Sequence, residues 1–379
     1  MSLQVEIAPS ICDLDPVLWD ALTDGSPLLS HSFLSALEKT GCVGPGTGWQ
    51  ACPLLVKDGN RLLGAMPLYA KTHSYGEYVF DWSWANAFEQ HGLDYYPKLI
   101  CAIPFTPITG PRLLSPDPAI RKLMAEVLSQ QLHGLNLSSA HVLFPDNESA
   151  QTLKNVGWMQ RSGMQFRWEN ENFENFEAFL ATLTHDKRKK IRQERKRVAT
   201  SGIVSRRLTA ENISKEDWEL FYQCYVSTYH QHRSSPYLTQ AFFHELALTM
   251  PQNILLVLAE RAGERIAAAL NIYGRNRDGD SCLYGRYWGA LQYVPGLHFE
   301  LCYYQAQEFC IEQGIRYFEG GAQGEHKLAR GFRPRPTCSF HRIAQPDFAG
   351  SIARALEREA GIMDLYLNEL EDRAPFKRS

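Results

Sequence analysis

Residues 53–69 read PLLVKDGNRLLGAMPLY, and residues 257–273 read VLAERAGERIAAALNIY. Placing Gly59 on Gly263 aligns Arg61 with Arg265, Leu62 with Ile266, Ala65 with Ala269, Leu68 with Ile272 and Tyr69 with Tyr273. In each stretch an apolar run meets a charged glycine turn and a second apolar run follows, which is the pattern of an antiparallel hairpin. The chain therefore carries two copies of one element, and the fold depends on whether the copying extends further.

It does. Asp117-Pro118 supplies a helix N-cap and a proline at the first helical position, and Ile120, Leu123, Met124, Val127 and Leu128 follow at helical spacing before Gly134. In the other half Pro295-Gly296 precedes Phe299, Cys302, Tyr303, Ala306 and Cys310, and Gly314 closes the segment. Apolar strands follow at 140–144 and 315–319. Gly157-Trp158 then leads to Phe166 with the spacing that takes Gly331-Phe332 to Phe340. Repetition of order as well as of local pattern points to two tandem α/β lobes, each a mixed sheet flanked by helices. The expected division is 1–168 and 169–345, followed by a C-terminal helix within 346–379. Ile352, Ala355, Leu356, Ile362, Leu365, Tyr366 and Leu370 form that helix's apolar stripe.

The bulk numbers agree with two domains. The chain has 379 residues, 44% hydrophobic and 21% charged, as in an ordinary soluble globular protein. Met1–Ile7 lacks a basic leader and an apolar core, and no later apolar run is long enough to span a bilayer, so a cytoplasmic protein is expected. The nine cysteines fall without ligand spacing, which predicts no disulfide framework and no metal site. The net charge of -3 hides a run at 185–207, HDKRKKIRQERKRVATSGIVSRR, with ten basic residues against two acidic. Asp186 reads as the N-cap of a helix over 186–200, with Gly202 beyond its end and Ile191 and Val198 as its apolar anchors. Lys187, Arg188, Lys189 and Arg192 are candidate anion-binding residues for phosphate, nucleic acid or anionic lipid, with a solvated structural face as the alternative.

Several stretches together resemble a known family: YGEYVFDWSWANAFEQHGLDYYPKL (75–99), PFTPITGPRLL (104–114), HDKRKKIRQERKRV (185–198), SSPYLTQAFF (234–243), LYGRYWGA (283–290) and YFEGGAQGEHKLARGFRP (317–334). The element order resembles the GNAT acyltransferase superfamily, and the tandem arrangement resembles the Fem-type aminoacyl transferases. More closely, the chain is similar to the Fem-like peptidoglycan biosynthesis/recognition family. The resemblance implies two GNAT-like lobes, transfer of an acyl or aminoacyl group, and a small-molecule or peptide-like amine acceptor bound between the lobes. The donor it implies is a coenzyme A thioester or an aminoacyl donor, and no metal is expected. Two departures stand out. There is no long heptad insertion in the second half, and neither Tyr293-Val-Pro-Gly-Leu-His-Phe299 nor Gly110-Pro-Arg-Leu-Leu114 has the usual glycine spacing of a coenzyme A pyrophosphate loop.

Acyl transfer to an amine needs a neutral nucleophile, donors for the developing oxyanion and an acid for the leaving group. Tyr317–Lys327 leaves a strand through three glycines and enters a helix, where bare N–H groups face a ligand. Glu319, Glu325 and His326 are candidate bases there. Lys327, Arg330 and Arg333 are candidate anion or oxyanion partners, and the resemblance singles out Lys327 or Arg330. The alternative is a plain turn capped by His326. Strand alternation puts Arg286 and Trp288 on one side and Tyr287 on the other, suited to a planar or phosphorylated ligand or to a simple cation–π pair. His298 lies at the start of the following helix. In the first half Asp81, Trp82, Trp84 and Asn86 suggest a ligand-lining cluster, or a loop packed by its own aromatics. A module that recognises a cell-wall precursor or nucleic acid without catalysis, and an association surface on the C-terminal helix, are the competing functions. No Gly-x-Ser-x-Gly nucleophile motif occurs.

Overall fold

The computed structural model describes residues 3–276, 278–321 and 324–377, with the side chains of His133 and Glu211 left aside. Its contacts divide the chain into two units, one of residues 1–164 and 336–367 and one of residues 165–335 and 368–379.

In the first unit the hairpin Leu54–Asp58 and Arg61–Met66 pairs with Leu3–Ile7 in a small antiparallel sheet. Pro67 has no N–H to donate, and the hairpin's second strand stops there. The chain resumes at Leu68–Lys71, which pairs with Trp49–Ala51 and Lys98–Cys101 in a different sheet. Lys98–Cys101 runs parallel to Ser139–Leu143, and the helix Pro118–Gly134 makes the crossover, with Asp117 accepting from the Ala119 amide as expected. Leu54, Met66, Met124, Leu128, Val142, Trp158 and Phe340 pack into one core. The helix Pro346–Asp372 buries Ile352 and Leu356 against Trp84, Phe88 and Tyr95. Its Ile362 and Leu365 are 68% and 72% exposed, so that part of the expected apolar stripe is not packed.

The second unit repeats the plan without the break. Ile254–Arg261 and Glu264–Arg275 form a long hairpin, flanked by Ile203–Thr209 on one side and Ser281–Ala290 on the other. Ser281–Ala290 is parallel to Tyr317–Glu319, again across a helical crossover. That crossover begins at Leu297–Phe299, passes through a π turn at Glu300–Tyr304 and continues as Gln305–Glu312. Helix Lys215–Gln231 covers one face, fixed at its start by a full capping box between Ser214 and Asp217.

The two hairpins share a bulge. Leu63 is skipped between the pairs Val56↔Gly64 and Lys57↔Leu62, and Ile266 between Ala259↔Ala267 and Glu260↔Arg265. These registers superpose Gly59 on Ala262, one residue from the alignment through Gly263. Ala262 has φ +51 where Gly59 has φ +59, so an alanine holds the left-handed turn position that glycine fills in the first copy. The Gly-aromatic strands also divide differently from the simple repeat. Trp158 belongs to the first unit and Phe166 to the second, whereas Phe332 belongs to the second and Phe340 to the first.

The basic helix spans His185–Thr200, with Ile191 and Val198 buried. Its N-cap is Thr184 rather than Asp186, because the helical conformation begins one residue before the acid.

Candidate functional site

A cleft of about 160 Å³ opens in the second unit beside the crossover, and the strand irregularity next to it shapes its floor. The pairing of Ser281–Ala290 with Glu264–Arg275 slips between Leu270 and Asn271, so Arg286 is an extra residue in its strand. Trp288 stays opposite Ala269 and Gly285 opposite Asn271, and all four line the cleft. The Arg286 guanidinium lies 4.9 Å over the Tyr287 ring, and its Nη2 donates to the Tyr287 hydroxyl at 2.8 Å. The bulge thus breaks the simple alternation that put Arg286 with Trp288 and away from Tyr287.

Asn271 is 2% exposed, and its Nδ2 has no hydrogen-bond partner. In the same lining, His298 sits between Trp288 and Tyr303, at ring separations of 4.9 and 5.5 Å. Burial, together with the charges of His326, Arg330 and Lys327, lowers the His298 pKa to about 4, which keeps the imidazole neutral near pH 7. The π turn places Tyr303 at the cleft, and its hydroxyl stands 3.0 Å from His326 Nε2. Burial raises the Tyr303 phenol and the Cys302 thiol, so both keep their protons and Cys302 is no thiolate nucleophile.

Lys327 lies at the mouth of the three-glycine segment. It is 4% exposed, and its ammonium donates to the Gly321 carbonyl at 3.2 Å. Burial lowers its pKa to about 8. Arg330 has another task. Its guanidinium donates to the His326 carbonyl at 2.7 Å and to both Glu194 carboxylate oxygens at 3.0 and 2.8 Å, while stacking 3.4 Å over Phe299. Glu319 is held by Arg167 across the paired strands, and Glu325 by Arg373 at 2.7 Å. Arg333 reaches Glu171 at the surface. Of the residues read from the sequence, the structure therefore brings Arg286, Trp288 and His298 into the lining of one cleft, sets His326 against its Tyr303 and Lys327 against its Gly320, and ties Glu319, Glu325, Arg330 and Arg333 to other partners.

The first-half set does not converge in this way. Trp82 and Asn86 are exposed on the helix Trp82–Gln90, while Trp84 is buried against His341. Asp81 belongs to a buried charge network. Lys98 donates to Asp81, to Glu77 at 2.8 Å and to Ser74 at 2.8 Å, and Tyr95 donates to Asp81 at 2.6 Å. Lys71 stands 3.9 Å from Glu77 and 3.8 Å from the Trp49 ring centre. His141 and His341 meet through their Nδ1 atoms at 2.7 Å. Asn271 was not singled out in the sequence, and Tyr303 was read there only as a position of the crossover helix. One polar residue inside the apolar run AAALNIY was the available signal for Asn271.

The two loops at the expected pyrophosphate positions pack against other parts of the chain. A Cβ at Gly296 would meet Val198 at 3.5 Å and the Glu194 carbonyl at 3.8 Å, so that turn lies at ordinary contact distance from the basic helix. Just beyond it, the Glu300 carboxylate accepts from Arg195 at 3.0 and 3.1 Å. In the first unit the wholly buried Arg112 fills its loop, donating to the carbonyls of Leu143, Ile108 and Pro111.

Two units of one design, each a hairpin feeding parallel strands across a helical crossover, give the chain a tandem GNAT-type fold. The chain belongs to the FemAB-like family, described as peptidoglycan biosynthesis/recognition, which it matches over residues 10–378. Among solved structures it is similar to FemX, at 13% identity and TM-score 0.54, covering 93% of this chain and all of that one. It is similar to a conserved protein of unknown function from Bacteroides thetaiotaomicron, at 10% identity and TM-score 0.53, covering 90% and 100%. It is also similar to L-PGS from Bacillus licheniformis, at 13% identity and TM-score 0.50, covering 84% and 93%. No curated protein matches the chain. At these identities the structures speak to fold alone. Among the described residues no helix is long and apolar enough to cross a membrane, and no group of side chains is arranged to hold a metal ion.

Proposed function

We propose that the protein transfers an acyl or aminoacyl group to an amine acceptor at the second-unit cleft, with a cell-wall precursor or a related peptide-like molecule as acceptor. The observation that carries this reading is the unpartnered Asn271 amide, buried in the cleft beside a neutral His298. Asn271 Nδ2 is a free donor for the carbonyl oxygen of the donor group, on which negative charge grows during attack. His298 takes the proton from the attacking amine. Burial first, and then the surrounding cations, depress its basicity, and an anionic substrate held by the Lys327 ammonium offsets the part due to the cations. Tyr303 and His326 stand in hydrogen-bond contact beside it and can return a proton to the leaving group. The missing glycine spacing at both loops, and the buried Arg112 in the first, favour an aminoacyl or other donor without coenzyme A.

Purified protein incubated with a panel of aminoacyl donors, coenzyme A thioesters and amine acceptors tests this. Turnover is expected with a donor lacking coenzyme A, and Asn271→Leu is expected to lower kcat by about 10²-fold, as removal of one oxyanion donor does. Lys327→Met is expected to raise KM while leaving kcat less affected. Binding of an acceptor with no transfer from any donor would replace this reading with recognition alone.

A further inference from the structure

No acidic side chain lines the second-unit cleft among the described residues, and Lys187, Arg188, Lys189 and Arg192 of the basic helix take no part in that lining. The carboxylates on the surrounding elements are held elsewhere. Glu194 accepts from Arg330 and Tyr304, Glu300 from Arg195, and Glu325 from Arg373. Glu319 follows Phe318, which lines the cleft, so strand alternation turns it to the opposite face, where Arg167 donates to it at 2.7 Å. Cations, by contrast, reach the cleft from two elements. Arg286 belongs to the lining strand, and Lys327, 4% exposed, packs along Gly320 of the lining. Arg330 follows on the same turn, stacked over Phe299.

At pH 7 these three cations are the charges that a bound amine meets. Lys327 is lowered only to about 8, while burial first, then nearby cations, hold His298 and His326 below their ordinary value, so both imidazoles are neutral. Burial keeps the protons of Cys302 and Tyr303 in place, and neither supplies a negative charge. An ammonium brought into this field is repelled and meets no carboxylate in the lining, and stripping its water without such a partner is costly. The aromatic side chains do not replace that partner. The Tyr287 ring lies under the Arg286 guanidinium at 4.9 Å, and Trp288 and Tyr303 flank the His298 ring, so these rings are already engaged. An uncharged amine meets none of these penalties.

We propose that the cleft takes its acceptor as an uncharged amine and so selects weakly basic amines, such as the α-amine of an amino acid or of a peptide's first residue, over alkyl amines such as a lysine side chain. The inference rests on the transfer reading for the role of the site. An α-amine loses its proton at about 7.7–8.0 and a lysine ε-amine at about 10.4, so at pH 7 the uncharged form is roughly 300-fold more abundant for the first. The cations thereby help to supply the neutral nucleophile that acyl transfer needs.

Calorimetry of the full chain at pH 7, in two buffers of different ionisation enthalpy, counts the protons released on binding. Alanyl-alanine, with a free α-amine, is expected to release about 0.9 proton, because most of it is charged in solution and uncharged when bound. N-acetyl-alanyl-alanine, which lacks the amine, is expected to release none. Nα-acetyl-lysine, with a free ε-amine, is expected to compete about 10²-fold more weakly than alanyl-alanine, with the same preference in kcat/KM for whichever donor supports turnover. Lys327→Met and Arg286→Gln, each removing one cation, are expected to narrow the preference several-fold. Binding of alanyl-alanine without proton release, equal or tighter binding of Nα-acetyl-lysine, no binding of either amine, or a preference unchanged in both variants would overturn the inference. Proton-linked binding with no transfer from any donor would instead remove the transfer reading and leave the selection of an uncharged amine standing. Turnover that favours the ε-amine would do the opposite.

Discussion

Single residues show where a sequence hides its costs. His141 and His341 look like unremarkable members of apolar strands, yet each is 1% exposed and they bond to each other. Burial is the largest cause of their shifts, holding His141 at about 3 and His341 well below its ordinary value, so the fold keeps both neutral. In the unfolded chain an imidazole titrates near 6.5. Below that pH the unfolded state takes up protons that the folded state refuses, so stability is greatest above about 6.5 and falls on acidification, by about 1.4 kcal/mol per pH unit for each such histidine. Glu77, raised to about 7 by burial, works in the opposite direction between its ordinary value and 7. Comparing a variant with the parent separates the two. Urea unfolding at pH 7.5 and 5.5 should show that His341→Gln loses less stability on acidification than the parent; parallel losses would mean that His341 is not held neutral. The hairpins and the crossover helices were legible because periodicity and glycines mark them locally, and the segments around Trp288 and His298 could be picked out as candidates for the same reason. The Lys98 network and Asn271 were not, because a polar residue in a buried strand gains its meaning from partners far away in sequence.

At the scale of elements, the site depends on how closely helix Lys215–Gln231 approaches the strand Ser281–Ala290. A Cβ at Gly289 would lie 1.8 Å from the Cys224 carbonyl oxygen and 2.8 Å from Thr228 Oγ1. Only glycine permits that approach. Thr228 and Ser227 then donate to the carbonyls of Trp288 and Ala290 at 2.8 and 3.2 Å, fixing the strand just past the bulge that sets the cleft. Gly289→Ala is therefore expected to cost about 3 kcal/mol by overpacking, read as a lowered denaturant midpoint. A variant with parental stability would show that helix and strand separate at no cost. The sequence contained this glycine in LYGRYWGA, but nothing local distinguishes a close-packing glycine from a turn glycine. The same limit applies to the bulge at Arg286, since an extra strand residue is visible only against its partner strand.

For the whole molecule, the repeat is plain in the sequence while the path of the chain through it is not. Similar Gly-aromatic strands end each half, which suggests two lobes laid end to end with a cut near residue 168. The contacts give residues 336–367 to the first unit instead. Ser339–Ile343 pairs antiparallel with Ser139–Leu143, Phe340 joins the core of Met124, Leu128 and Val142, and Ile352 and Leu356 close the cluster around Trp84 and Phe88. A fragment of residues 1–168 has all of the first hairpin and crossover but lacks that strand and helix, leaving Ser139–Leu143 with an open edge and His141 without its partner. Exposed edges and emptied cores of this extent exceed the marginal stability of a domain of that size. The fragment is expected to show no cooperative thermal transition by circular dichroism. A chain in which residues 336–367 are joined by a flexible linker to residues 3–164 should regain one. Cooperative melting of the linear fragment alone would mean that the first half completes its own sheet, and that the strand Arg333–Ile343 is an addition to it rather than part of its core.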